Sequence, residues 1–280
     1  TAQGRAAADA LQGGDAVDDE FEVTAAGGVI LNGQAFTGID SLSGLGGADD
    51  FALNGDFAGA IAGDAGDDDF ELGAGVTAAN VQGGADSDEV IAKGGATAFT
   101  LTGGDTGTAL NGSETVSFSG IETVTGSAEG DSFAINASYA GVLDGGEGGD
   151  TFTVGLNGAL SGAGVTLTGG LDAGGDDVDT LSVAGKDADL TVSLTDSGAT
   201  GFAGTAATVF TGTGGGFAAI DRIEGSADTL QGRTDASSVW TQTAYSVGTD
   251  KLEFTGITTA QGRAAADALQ GGDAVDDEFE

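Results

Sequence analysis

Six aspartates recur at a spacing that could do chemistry. Asp49, Asp68 and Asp88 stand 19 and 20 residues apart, Asp131 and Asp150 are again 19 apart, and Asp179 follows. Each closes a glycine-rich run and opens a short alternating segment, as in Gly145-Gly-Glu-Gly-Gly-Asp150-Thr-Phe152-Thr-Val154. Carboxylates beside turn carbonyls are hard oxygen donors, and the ion they suit is Ca²⁺. The means for catalysis are sparse. The chain has no Cys and no His, which removes thiolate nucleophiles, zinc–thiolate sites and the commonest general base. Paired carboxylates abound, but 45 acidic residues in a chain of 280 make such pairs expected from composition alone. The basic residues are Arg5, Lys93, Lys186, Arg222, Arg233, Lys251 and Arg263, and none sits among the Asp segments in a recognisable pairing. The chain reads as a non-enzyme.

The elements that position these aspartates follow from a twelve-residue pattern, hydrophobe-x-Gly-x-x-x-x-Asp-x-Phe-x-hydrophobe. It covers Leu42 to Leu53, Ile61 to Leu72, Val81 to Ala92, Val124 to Ile135 and Leu143 to Val154; Asp179 with Leu181 and Val183 fits with one residue inserted. Hydrophobes alternating after each Asp mark a strand with one buried face, and the glycine run before it marks a turn. A turn and a short strand every 20 residues or so is too short a period for a βαβ unit. It predicts an all-β, elongated β-solenoid, a parallel β-helix of about 20 residues per coil with Gly-rich turns. Stacked at ~4.8 Å, about 13 coils would give a rod of roughly 60 Å per 258 residues. Phe51, Phe70 and Val90 would point inward as one column, and Phe133, Phe152 and Leu181 as another. If the aspartates stack on one edge, adjacent carboxylates repel by about 0.9 kcal/mol in bulk-water dielectric. Two readings of that edge stay open: specific Ca²⁺ sites at Asp49, Asp68, Asp88, Asp131, Asp150 and Asp179, or a diffuse atmosphere of divalent and other cations.

A longer frame, Phe-x-Gly-Ile-acid, contains these windows. It occurs at Phe36, Gly38, Ile39, Asp40 and at Phe118, Gly120, Ile121, Glu122; at Phe254, Gly256, Ile257 the acid is missing, and a shortened copy runs from Phe217 through Ile220 and Asp221. Residues 1–22 and 259–280 are identical, so the sequence repeats with a period of 258 residues. The expected organisation is one tandem unit over residues 1–258, a continuous solenoid, followed by the start of the next identical unit at 259–280. Thr1 is then not a natural start. Between about 184 and 256 the pattern loosens into wider or irregular coils. There Leu190-Thr-Val192-Ser-Leu194 reads as a strand, and the sole tryptophan, Trp240, reads as core or coil edge, with a partner contact as the competing assignment.

Composition bounds the partners. With 7 basic against 45 acidic residues the formal charge is −38, which disfavours nucleic acid and anionic membrane surfaces as partners and makes cations the natural ligands. The 55 glycines without any proline exclude collagen, and 39% hydrophobic content is too high for a disordered acidic tail. No run of 18 apolar residues provides a membrane span. The absence of Met, Cys, His and Pro suits an exported, oxidation-tolerant bulk protein.

The segments Gly145-Gly-Glu-Gly-Gly-Asp150-Thr-Phe152-Thr and Gly63-Asp-Ala-Gly-Asp-Asp68-Asp-Phe70-Glu resemble the nonapeptide of RTX β-rolls. The Phe-x-Gly-Ile-acid frame resembles the repeats of giant secreted bacterial β-solenoid adhesins and filamentous-haemagglutinin-like exoproteins. The RTX resemblance implies Ca²⁺ held between coils by Asp68 and Asp150, with Gly66 and Gly148 at the middle glycine. The nonapeptides here are about 20 residues apart rather than consecutive, which departs from that family. Together the resemblances imply a secreted, cell-surface structural or adhesive fibre whose partners are adjacent identical repeats head to tail, with lateral self-association or surface glycans beyond them. Two alternatives accompany it: a calcium-dependent glycan- or surface-binding module, and a β-helix polysaccharide lyase. The pairs Thr100/Thr102, Thr123/Thr125, Thr151/Thr153 and Thr166/Thr168 lie at different offsets from the Asp positions, so strand-surface Thr is the expected reading.

Overall fold

In a computed structural model, which describes residues 2–3, 8–171, 177–186, 189–264 and 266–270, the chain is all-β. Arg5 and residues 271–280, the latter part of the expected second unit, lie outside the described residues. The described residues contain no helix, and their strands form one sheet of 28 strands with a separate pair at Ser138–Tyr139 and Ala159–Leu160. Most pairings are parallel and in register. Along one ladder Leu11, Leu42, Ile61, Val81 and Phe118 are successive Cα partners. A second runs Phe21, Phe51, Phe70, Val90, Val124, Leu143, Leu167 and Phe217. A third runs Phe99, Phe133, Phe152, Leu181, Ile223 and Phe254.

The two-residue alternation accounts for these ladders. In Asp50–Leu53 the side chains of Phe51 and Leu53 are buried while Asp50 is exposed, and the same alternation holds in Asp69–Leu72 and Thr151–Val154. Parallel in-register stacking then lays like on like. Phe21, Phe51 and Phe70 stack with ring centroids 4.6 and 4.9 Å apart, and Phe99, Phe133 and Phe152 at 4.9 and 4.7 Å. The expected inward columns are both present. They belong to different ladders, because Val90 is followed in register by Val124, not by Phe133.

The step between ladders comes from four antiparallel excursions. Glu20–Val23, Val29–Leu31 and Gln34–Thr37 form a three-stranded meander. So do Thr97–Leu101, Thr106–Asn111 and Glu114–Ser119; Thr191–Gly198, Gly201–Thr205 and Gly216–Ile220; and Val239–Trp240, Ala244–Val247 and Asp250–Gln261. The first strand of each meander opens a new ladder, and the last strand closes an older one. The Phe-x-Gly-Ile frame marks each return to the parallel stack: Phe36, Phe118, Phe217 and Phe254 all sit on closing strands. At the frame's third position Gly38, Gly120 and Gly256 have φ of 70°, 62° and 66°, and the shortened copy forces Ala219 into the same region at 52°.

The meanders also correct the expected rise. From Leu11 to its repeat at Leu269 the chain climbs eight rungs, through Leu42, Ile61, Val81, Phe118, Leu143, Leu167, Phe217 and the rung shared by Phe254 and Leu269. At ~4.8 Å each, eight rungs advance about 38 Å rather than roughly 60. Each excursion consumes residues without adding a rung.

The irregular region holds the last two meanders, with the parallel strand Arg222–Gln231 between them. Phe202, Val209 and Phe210 are buried anchors, and Trp240 is core, edge-on to Tyr245 at 4.5 Å. Thr125 lies between Ile91 and Asp144, and Thr153 between Ala134 and Ser182, so no Thr array forms along these ladders.

Candidate functional site

All six aspartates singled out in the sequence are buried, where an exposed acidic edge would have left them in water. Each stands at the head of an inward-facing strand with its carboxylate turned under the preceding glycine turn. The Asp49, Asp68 and Asp88 side chains form one series and Asp131, Asp150 and Asp179 another.

Within each series one carboxylate oxygen is hydrogen-bonded to the neighbouring rung. The Asp19 N–H donates to Asp49 Oδ1 (2.7 Å), the Asp49 N–H to Asp68 Oδ1 (2.9 Å), and the Asp68 N–H to Asp88 Oδ1 (3.0 Å). In the second series the N–H groups of Thr97, Asp131 and Asp150 donate to Asp131, Asp150 and Asp179 Oδ1 at 2.5, 2.6 and 2.8 Å. Each series ends on the acid of the longer frame: the Asp88 N–H donates to Glu122 Oε2 (3.0 Å) and the Asp179 N–H to Asp221 Oδ2 (3.1 Å). Asp40 receives the Asp9 N–H in the same way at 2.8 Å. Asp228 and Asp267, in shorter ladders, take the N–H groups of Leu190 and Ser238. The backbone carbonyls are engaged too, since Asp49, Asp68 and Asp150 accept from the N–H groups of Asp69, Glu89 and Thr180 on the next rung.

The second oxygen explains the glycine of the pattern. A Cβ on Gly44, Gly63, Gly83 or Gly145 would sit 2.0–2.4 Å from the Oδ2 of Asp49, Asp68, Asp88 or Asp150. Only a residue without a side chain lets the carboxylate lie there. At Asp131 the Ser127 N–H donates to Oδ2 (2.5 Å), whereas Oδ2 of Asp49, Asp68, Asp88 and Asp150 is buried without a hydrogen-bond partner. In those four turns the residue after the glycine, Leu45, Asp64, Gly84 or Gly146, has positive φ.

Burial dominates the electrostatics of these groups. It pushes Asp68 up to about 7, Asp88 to about 6 and Asp150 to about 8, against a backbone N–H that favours the charged form and with neighbouring carboxylates adding to the rise. Asp49 and Asp131 are raised for the same first cause. The neutral acid is the form that this environment favours.

These residues do not fit a Ca²⁺ shell of six to eight oxygens. One oxygen of each carboxylate is spent on an N–H, the other lies against the turn glycine and at Asp131 also accepts the Ser127 N–H, and the nearest like group is a rung away. Among the described residues no three acidic side chains converge on a point that could hold a metal ion. What the arrangement does is fasten rung to rung.

Outside the stack, Glu20, Asp50, Asp69 and Glu89 face one another in register along the surface. Burial, then the Glu89 and Asp50 charges, raises the Asp69 carboxyl. Five basic side chains serve local roles: Lys93 pairs with Glu71, Arg222 and Lys251 with Glu253, Arg233 with Asp196 and Asp235, and Lys186 with the Leu156 and Gly158 carbonyls.

The chain matches no protein-family model and no curated protein. Among the described residues no helix is long and apolar enough to cross a membrane. Sequence reasoning picked out the six aspartates but missed that Asp40, Glu122 and Asp221 do the same work. The signal was there in the frame, whose acid recurs at a fixed offset from its Phe.

Proposed function

We propose that this chain is a length of an extracellular structural or adhesive fibre, built as a β-solenoid in which 258-residue units follow one another head to tail. One observation carries the reading. The parallel ladders run from the first described strand to the last, and among the described residues no strand pairing spans more than the interval from Val165 to Gly216. Contacts confined to near neighbours along the chain are the mark of a quasi-one-dimensional stack, whose length grows by adding rungs. The identity of residues 1–22 with 259–280 supports the tandem arrangement, and the acidic surface and the lack of Cys and Met support life outside the cell. Buried carboxylates and aromatic columns give such a rod its cohesion, so the Asp series is structural in this reading.

Solution scattering on chains carrying one, two and three copies of the 258-residue unit tests it. The longest dimension is expected to grow by about 38 Å per copy at constant cross-section. Growth of the cross-section instead, or a particle that stays globular, would contradict the fibre.

A further inference from the structure

Residues 1–22 and 259–280 share one sequence, yet the described strands of the two copies pair with different neighbours. The copy at the far end shows what lies on one side: Leu230 is in register with Ala260, Val239 with Ala268, and Trp240 with Leu269. The copy at the near end shows the other side: Ala2 is in register with Phe36, Ala10 with Ser41, and Leu11 with Leu42. The two sets use opposite edges of the same strands. They are therefore compatible, and one segment could make both at once.

We propose that wherever a second copy of this unit follows the first, its strands at residues 2–3 and 10–12 are sandwiched between residues 230–231 and 239–240 of the first copy and its own residues 36–37 and 41–43. The joint is then in register, without a linker. The far edge of Asp250–Gln261 and Ala268–Leu269 is a docking surface for one occupant, the strands Gln34–Thr37 and Ser41–Ser43 of the second copy. The inference rests on the tandem reading above and adds to it where the joint lies and which residues make it.

An independent regularity supports the register. The ladder opened by the first meander at Phe21 closes at the third, on Phe217; the ladder opened by the second at Phe99 closes at the fourth, on Phe254. Each thus lasts two meanders and ends on a frame phenylalanine. The ladder opened at Val192 reaches Leu230 and Ala260 within the chain. Because Ala260 repeats Ala2, the joint closes that ladder on Phe36, again two meanders on. The ladder opened at Trp240 continues through Leu269, which repeats Leu11, to Leu42, Ile61, Val81 and Phe118, once more two meanders on. The Asp contacts match as well. Asp267 accepts the Ser238 N–H from below, while its repeat Asp9 donates its own N–H upward to Asp40.

The test is a chain of two consecutive copies with Val239→Cys in the first and Ser41→Cys in the second; the native sequence has no Cys to interfere. Two rungs separate these positions, about 9.6 Å, so a bismaleimide of about that reach is expected to link them nearly completely. With Ser41→Cys placed in the first copy instead, six rungs below Val239 and about 29 Å away, no intramolecular link is expected. A doubly substituted chain that melts like the parent but does not cross-link overturns the joint. Scattering separates the two failures: single copies that are elongated, with no cross-link across the pair, sink only the joint, whereas single copies that are not elongated sink the fibre reading itself.

Discussion

Backbone conformation at the frame's third position sets a cost that differs between its copies. Gly120 and Gly256 take positive φ freely, whereas Ala219 holds 52° with a Cβ. An alanine in the left-handed region is disfavoured by roughly 1–2 kcal/mol, partly offset by the greater chain entropy a glycine loses on folding. Ala219→Gly is therefore expected to stabilise the chain by up to about 1 kcal/mol, read as a higher midpoint in urea with an unchanged slope. The reverse change at Gly256 is expected to be worse than neutral, because its Cβ would meet the Gly225 carbonyl oxygen at 1.9 Å. The motif aspartates allow a sharper test of role. Asp68→Asn keeps an oxygen for the Asp49 N–H and removes the buried charge, so at pH 8 it is expected to raise the melting temperature. Asp68→Ala leaves that N–H unpaired and is expected to cost about 1–3 kcal/mol. A loss of stability equal in both variants would show that the charge itself, not the hydrogen bond, is what the site needs.

The Asp series as an element makes the stack sensitive to pH. Folding raises Asp88 to about 6, Asp68 to about 7 and Asp150 to about 8, from roughly 4 in an unfolded chain. Between those limits the folded chain binds more protons, so stability falls as pH rises. The contribution is complete below about 4 and is lost as pH climbs through each folded value in turn. The charges facing these groups act in the same sense: Asp49, Asp64 and Asp88 around Asp68, Asp67, Asp86 and Glu122 around Asp88, and Asp131, Asp144 and Asp179 around Asp150. Thermal melts from pH 5 to 8.5 at fixed ionic strength are expected to show a falling midpoint, and the triple Asp→Asn variant at 68, 88 and 150 a much flatter one. Equal slopes would assign the effect to surface repulsion. The strands bearing these aspartates were legible in the sequence because alternation at Asp-Thr-Phe152-Thr-Val154 is a local signal. The meanders were not, although Asn32-Gly33, with φ of 48° and 77°, is a hairpin turn that sequence alone could flag. Their effect is non-local: Val90 meets Val124 only because the Thr97–Ser119 excursion shifts the register, and no window of twenty residues contains that shift.

For the whole molecule the governing quantity is a formal charge of −38 on a largely parallel sheet whose surface rows place like charges opposite one another, as at Asp50, Asp69 and Glu89. Such pairs destabilise a parallel ladder, and salt weakens them over a Debye length of about 8–10 Å. Cations of any kind should therefore stabilise the fold by screening. A specific Ca²⁺ effect would need a shell of oxygens, and the buried carboxylates that the RTX-like segments suggest for it are tied to N–H groups on the neighbouring rung. The close approach of the carboxylate to Cα is by itself a reason for their glycines. CaCl₂, MgCl₂ and NaCl matched for ionic strength are thus expected to raise the melting temperature with at most a modest divalent advantage, the same for Ca²⁺ and Mg²⁺. Chelator should leave the β signal in circular dichroism intact. A rise with Ca²⁺ alone, approaching the ~2.7 kcal/mol that linkage gives at 100-fold over Kd, would mean that the ladder opens to admit the ion. It would also predict loss of the hydrogen bonds from Asp49 N–H to Asp68 and from Asp131 N–H to Asp150, visible as faster amide exchange at those two residues when Ca²⁺ is added.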